Sequence, residues 1–128
     1  MGAFRKMTKK ILIVEDEFQI IKLITAILSQ KGYEIDYCEN GRDAIAKMQD
    51  FKPDLVLMDI MLPGIDGKTL AKQMLSIRDL ASIPVIIISS LKDANTLFSD
   101  SQQVRGVVSK PFKQQTLVDA VEKVLPTA

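Results

Sequence analysis

Glu15 and Asp16 follow the apolar run Ile11-Leu12-Ile13-Val14, and Asp59 follows Leu55-Val56-Leu57-Met58. Short unbroken aliphatic runs are the pattern of strands buried on both faces of a parallel sheet. If these two are neighbours, three carboxylates meet at one sheet edge, where open α/β sheets keep their ligands. Such carboxylates repel one another unless a hard cation joins them. Two more polar residues end apolar runs: Ser89 after Ile86-Ile87-Ile88, and Lys110 after Val107-Val108-Ser109. Carboxylate oxygens suit Mg²⁺, which keeps several waters and binds one or two protein carboxylates beside a phosphate. An ammonium and a hydroxyl nearby suit phosphoryl oxygens. A carboxylate can itself be the nucleophile and form an aspartyl phosphate. The set therefore reads as a Mg²⁺-dependent phosphorylation site with Asp59 as the candidate nucleophile. Singly, each residue has a plainer use: Asp16 or Asp59 as a helix cap, Lys110 as a surface lysine, Ser89 and Ser90 as turn residues. Those uses do not explain why all five groups stand at carboxyl ends of strands. Glu17 and Asp66 read as surface and cap residues, and Asp54 falls at the opposite edge.

The elements that must position these groups alternate. Lys10–Val14 reads as a buried strand. Phe18, Ile21, Ile24 and Leu28, widened by Ile20 and Ile27, form a helical stripe ended by Gly32. Tyr33–Cys38 alternates as a half-exposed strand, and Asn40-Gly41 turns it into a short helix with Ala44, Ile45 and Met48. Leu55–Met58 is the next strand, and Asp66 caps a helix with Leu70, Met74 and Ile77 inward. Val85–Ile88 is a strand, a weak helix spans Asp93–Ser101, and Val104–Val108 is the last strand. Pro111 opens a helix with core face Leu117, Val121, Val124 and Leu125. Strand–helix alternation of this kind implies a parallel sheet with right-handed crossovers and helices on both faces. The most apolar strands, first, third and fourth, belong in the centre. The expected fold is the flavodoxin-like (βα)5 doubly wound α/β sheet, order 2-1-3-4-5, with its crevice at strands one and three.

Composition narrows the class. At 128 residues, 47% hydrophobic and 26% charged, the chain fits one globular domain. Residues 1–9 read as a basic N-terminal tail (Arg5, Lys6, Lys9), 10–125 as the domain and 126–128 as the C-terminal end. Lys+Arg 17 against Asp+Glu 16 gives net charge +1, so no whole-chain field argues for direct nucleic-acid or membrane binding. No apolar run approaches the roughly 20 residues of a membrane span. Ala3-Phe4 is followed at once by Arg5-Lys6, which is not a signal peptide, and Lys6 stands where myristoylation wants Ser or Thr. Cys38 has no second cysteine to pair with and reads as a small buried hydrophobe, favouring a cytoplasmic setting. His is absent, removing the commonest acid/base group and zinc ligand.

Ile-Leu-Ile-Val-Glu-Asp at 11–16, Asp-Leu-Val-Leu-Met-Asp-Ile-Met-Leu-Pro-Gly-Ile-Asp-Gly at 54–67, Ser89, and Lys110-Pro111-Phe112 together resemble the response-regulator receiver domains of two-component signalling. The resemblance runs from about Lys10 to Leu125. It implies that Asp59 accepts phosphate from a partner histidine kinase or histidine phosphotransfer protein. It implies further that Asp16, Asp59 and the backbone carbonyl of Met61 bind Mg²⁺, with Glu15 holding the metal through water. Lys110 would pair with the carboxylate and then the phosphoryl group, and Ser89 would move to hydrogen-bond a phosphoryl oxygen. The family's cis peptide would precede Pro111 and aim Lys110 into the site. A downstream protein would dock on the face of helix 4, strand 5 and helix 5, switched across residues 89–110, and a homodimer stays open. Such a module is a phosphoacceptor, not an enzyme beyond assisting its own phosphorylation and dephosphorylation.

The chain departs from the family at the output side. Val107 stands where Tyr or Phe is usual three residues before the lysine, and Ser101-Gln102-Gln103-Val104-Arg105 replaces an Ala-Gly-Ala-like stretch. The expectation is a switch without an aromatic rotamer change and a partner surface individual to this protein. Met61 and Leu91, two residues beyond Asp59 and Ser89, offer nothing to orient a hydrolytic water. That implies a long-lived phosphoryl state, which a lifetime of seconds without phosphatase would contradict. The chain ends soon after its last helix, as a stand-alone receiver or a piece of a longer protein would. Two other functions compete. An Asp-nucleophile phosphatase or phosphotransferase of the haloacid-dehalogenase type wants a second Asp where Met61 stands. A flavodoxin-like nucleotide or flavin binder wants a Gly-rich loop where Glu15-Asp16-Glu17 would repel phosphate.

Overall fold

The computed structural model describes residues 8–126. Ten elements alternate: β1 (Lys10–Val14), α1 (Phe18–Ser29), β2 (Glu34–Cys38), α2 (Ala44–Phe51), β3 (Leu55–Met58), α3 (Gly67–Leu75), β4 (Val85–Ser89), α4 (Ala94–Leu97), β5 (Val104–Ser109) and α5 (Gln114–Val124). The strands form one parallel sheet in the order β2-β1-β3-β4-β5, the predicted doubly wound arrangement. Most of the residues of the expected basic tail, 1–7, lie outside the described residues, as do 127 and 128.

Strand side chains alternate between faces, which divides the core in two. Leu12, Val14, Val56, Met58, Val85 and Ile87 pack with α2 and α3 on one face. Ile11, Ile13, Leu55, Leu57, Ile86 and Ile88 pack with α1 and α5 on the other. β1, β3 and β4 lie between neighbours and are almost wholly buried, whereas β2 and β5 are edges and are only partly buried. Burying an aliphatic side chain is worth about 1.5–3 kcal/mol. Two such layers hold the central strand ends in place against the repulsion of the charges they carry.

Several boundaries differ from the periodicity. α3 stops at Leu75 because Ser76 caps it, its hydroxyl donating to the Gln73 carbonyl at 2.8 Å. Ile77 therefore lies in the following turn, half-buried, where its carbonyl accepts from Leu80 and Ala81. α4 shrinks to four residues, since only Ala94 and Phe98 bury in that stretch. α5 begins at Gln114, not Pro111; Lys113 is its extended N-cap and Lys110–Pro111 is a cis peptide. Phe18 shares the helical stripe but is 55% exposed, because the first turn of α1 starts beyond the end of β1. The Lys22 ammonium lies 5.8 Å from its ring centre instead.

β5 carries one extra residue. Val85 pairs with Val104 but Ile86 pairs with Gly106, so Arg105 is inserted into the ladder. From there the register runs to Ser89 opposite Ser109, and the Lys110 amide donates to the Ser89 carbonyl at 2.8 Å. The register thus places Lys110 just beyond the carboxyl edge.

Candidate functional site

β1 and β3 pair in register from Ile11–Leu55 to Val14–Met58, so Glu15 and Asp59 leave the sheet side by side. Backbone bonds fix both: the Glu15 amide donates to the Cys38 carbonyl at 3.0 Å, and the Asp59 amide to the Val14 carbonyl at 3.0 Å. Glu15 is 2% and Asp59 7% exposed. Two unpartnered carboxylates buried together would be strongly unfavourable. Lys110 supplies the compensation, its Nζ standing 2.6 Å from Glu15 Oε1 and 3.0 Å from Asp59 Oδ2. The remaining carboxylate oxygens take backbone donors: Glu17 N–H to Glu15 Oε2 at 3.1 Å, and Met61 N–H to Asp59 Oδ1 at 3.2 Å.

These contacts shape the titrations. Burial, reinforced by the charge of Asp59, pushes Glu15 up to about 7, although Lys110 and the Glu17 amide pull the other way. Burial also works against the charge of Lys110, but hydrogen bonds to Glu15 and Asp59 outweigh it and push the ammonium up to about 12. The lysine is therefore a cation at neutral pH, and the Glu15 carboxyl keeps its proton to higher pH than an ordinary glutamate.

Of the residues expected to act together, Glu15, Asp59 and Lys110 are joined in one network. Asp16 leaves the same strand end but is exposed, and it lines an open cleft of about 350 Å³ with Glu39, Asn40, Arg42, Pro63 and Gly64. Ser89 is buried, and its hydroxyl oxygen accepts from the Leu91 amide at 3.0 Å. Met61 is 62% exposed. Glu17, read from sequence as a surface residue, is exposed but has its Oε1 3.5 Å from the Lys110 ammonium. An available signal pointed to it: alternate residues leaving an extended strand face the same way, so Glu15 and Glu17 share a side and Asp16 takes the other.

Carboxylate oxygens of Glu15, Glu17 and Asp59 all lie within 4.8 Å of one another. An oxygen-only set of this charge, with no His or Cys, fits a hard divalent cation. The three oxygens are close enough together for one cation, and the Lys110 ammonium stands among them, 2.6, 3.5 and 3.0 Å from Glu15, Glu17 and Asp59.

Comparison with known proteins gives the class. The family described as response regulator receiver domain matches residues 11–122. The chain belongs to this family, the receiver domains of two-component signal transduction. It is 36% identical over 118 residues to protein PilH of Pseudomonas aeruginosa, covering 91% of this chain and 97% of that protein. It is 33% identical to the regulatory protein VanRB of Enterococcus faecalis, covering 93% of this chain but 53% of that longer protein. Its fold matches the receiver domain of sensor histidine kinase PA1611 from Pseudomonas aeruginosa, a structure with a magnesium ion coordinated in the active-site cleft. The TM-score is 0.82 at 22% identity, covering 94% of this chain and 100% of that one. Receiver domains are signalling modules. Among the described residues no helix is long and apolar enough to cross a membrane.

Proposed function

We propose that residues 10–125 form a phosphoacceptor module in which Asp59 receives a phosphoryl group from a histidine kinase or histidine phosphotransfer protein. The observation that carries this reading is the buried Glu15–Lys110–Asp59 network at the end of β1 and β3. An Asp59 carboxylate oxygen attacks phosphorus and forms the P–O bond. The P–N bond of the donor breaks, its electron pair returning to the imidazole, and Asp59 loses no proton. Lys110 follows the charge, turning from carboxylate to phosphoryl oxygen. Ser89 releases the Leu91 amide and its hydroxyl donates a hydrogen bond to another phosphoryl oxygen, drawing the segment after β4 with it. Asp16, Asp59 and the Met61 carbonyl would hold Mg²⁺, with Glu15 acting through water. When bound, the ion offsets the charge that collects on the transferring group. The PA1611 receiver, which shares the fold, has a magnesium ion in its active-site cleft, and this supports a divalent ion at this edge.

The output we assign to the face of α4, β5 and α5, across residues 89–110, where a protein partner or a second copy docks. The setting we assign is cytoplasmic. Incubation with acetyl phosphate and Mg²⁺, followed by intact mass, tests the module. Stoichiometric gain of one phosphoryl group, lost in Asp59→Asn, is the expected result. No gain in the wild type, or undiminished gain in the variant, rejects it.

A further inference from the structure

Two glycines close on the loop after β3 from opposite sides. A Cβ at Gly67 would run into the Asp59 carbonyl oxygen and stand 2.8 Å from Ile60 Cα. A Cβ at Gly41 would run into the Ile65 carbonyl oxygen and stand 2.9 Å from its carbonyl carbon. In both cases the obstacle is main chain, not a side chain that can turn aside. Each glycine also bonds the same loop: Gly67 N–H donates to the Ile60 carbonyl at 2.7 Å, and Gly41 N–H to the Pro63 carbonyl at 3.1 Å. The segment from Asp59 to Gly67 is thus held between the start of α3 and the turn after β2.

Neither wall yields without disturbing the acidic site. Asn40 Oδ1 accepts from the Asp43 amide at 2.8 Å and its Nδ2 donates to Asp43 Oδ2 at 3.1 Å, which closes the turn on itself. The Cys38 thiol donates to the Asn40 carbonyl at 3.1 Å, and the Cys38 carbonyl holds the Glu15 amide. Pushing the turn outward therefore pulls on the main-chain support of Glu15. Pushing the loop inward shifts the chain between Asp59 and Ile65, where Met61 sits.

We propose that Gly41 is a positioning residue for the phosphoacceptor site. Its missing side chain lets the turn after β2 lie against Pro63 and Ile65, and that contact sets how Asp59 and Met61 are presented. The inference rests on the phosphoacceptor reading and names a residue, remote from the chemistry, that tunes it. In Gly41→Ala, Mg²⁺ affinity by titration calorimetry is expected to fall about tenfold, as outer-shell changes do. Phosphoryl uptake from acetyl phosphate slows with it. Asn40→Ala, which removes the side-chain bonds that close the turn and one wall of the cleft beside Asp16, is expected to weaken Mg²⁺ binding by a smaller factor than Gly41→Ala.

Gly32→Ala separates position from general destabilisation. Gly32 has φ +92° with nothing within 4 Å of an added Cβ, and it lies at the opposite sheet edge. Its substitution costs backbone strain alone and leaves Mg²⁺ affinity unchanged. Wild-type affinity in both Gly41→Ala and Asn40→Ala overturns the proposal, as does an equal loss in Gly32→Ala. If Gly41→Ala does not fold, Asn40→Ala decides. A wild-type protein that binds no Mg²⁺ and takes up no phosphoryl group removes the phosphoacceptor reading and this inference together.

Discussion

At the ends of β1 and β3 two carboxylates are buried, and the half-buried Lys110, arriving from the end of β5, makes short contacts with both. Beyond the other side of the sheet, around α4 and the start of β5, one neutral side chain is buried and is only half satisfied. Lys110 bridges Glu15 and Asp59, and backbone amides take up the oxygens it leaves. Gln103 is 6% exposed, its Nε2 donating to the Leu80 and Ile83 carbonyls at 3.3 and 3.0 Å, while Oε1 has no partner among the described residues. Turning the amide over would set an oxygen against two carbonyls, so the orphan acceptor is retained. A buried acceptor without a partner costs about 1–3 kcal/mol. Next to it α4 is a single turn, and half-buried Val107 packs where the family has an aromatic ring. The chemical edge is fixed by buried charges from distant strands, whereas α4 is a single turn whose bonds run mostly within its own stretch. Segments of the second kind are the ones that open and rearrange at low cost.

Removing the charge that organises the chemical edge gives the largest effect. Lys110→Ala leaves Glu15 and Asp59 buried together and should lower stability by about 3 kcal/mol at pH 8 without divalent ions. Urea titration measures it, and added Mg²⁺ should recover part of the loss. A loss below about 1 kcal/mol would mean that this edge is no more tightly specified than a surface ion pair.

A smaller effect follows from Glu15. Its folded-state value of about 7 lies above the ordinary 4.5, so between those pH values the folded protein keeps a proton the unfolded chain releases. Stability contributed by this group therefore falls as pH rises from about 4.5 to 7, and is level above that. Urea titrations across this range should show the slope in wild type and its absence in Glu15→Gln. Parallel curves for the two proteins would show that the proton belongs elsewhere.

The smallest effect belongs to the α4–β5 side. Loading with beryllofluoride, a phosphoryl mimic, should alter amide exchange across residues 89–108 by about a few-fold, while the strands of the central sheet stay protected. Unchanged exchange there would break the contrast and the expectation of a switch that runs without an aromatic ring.

The strand order was legible because hydrophobic patterning is local and the central strands had no polar residue to interrupt them. Leu55–Met58 and Val85–Ile88 could only be buried on both faces, and Glu34–Cys38 could only be an edge. The meeting of Glu15, Asp59 and Lys110 followed from that order, since each ends a strand. Beyond the strand ends periodicity reached only as far as the alternation of Glu15, Asp16 and Glu17, because φ and ψ further on are set by whichever partners the folded chain supplies. Glu17 joining the lysine while Asp16 faces the cleft depends on the extended exit from β1. The inserted Arg105, which sets the register leading to Lys110, is invisible in a pattern that alternates poorly. Ser89 facing the Leu91 amide, and Gly41 lying against Ile65, are contacts between segments whose approach only packing decides. Hydrophobic burial, being non-directional, specified the layers from sequence; hydrogen bonds and close backbone contacts, being directional, waited for the tertiary structure.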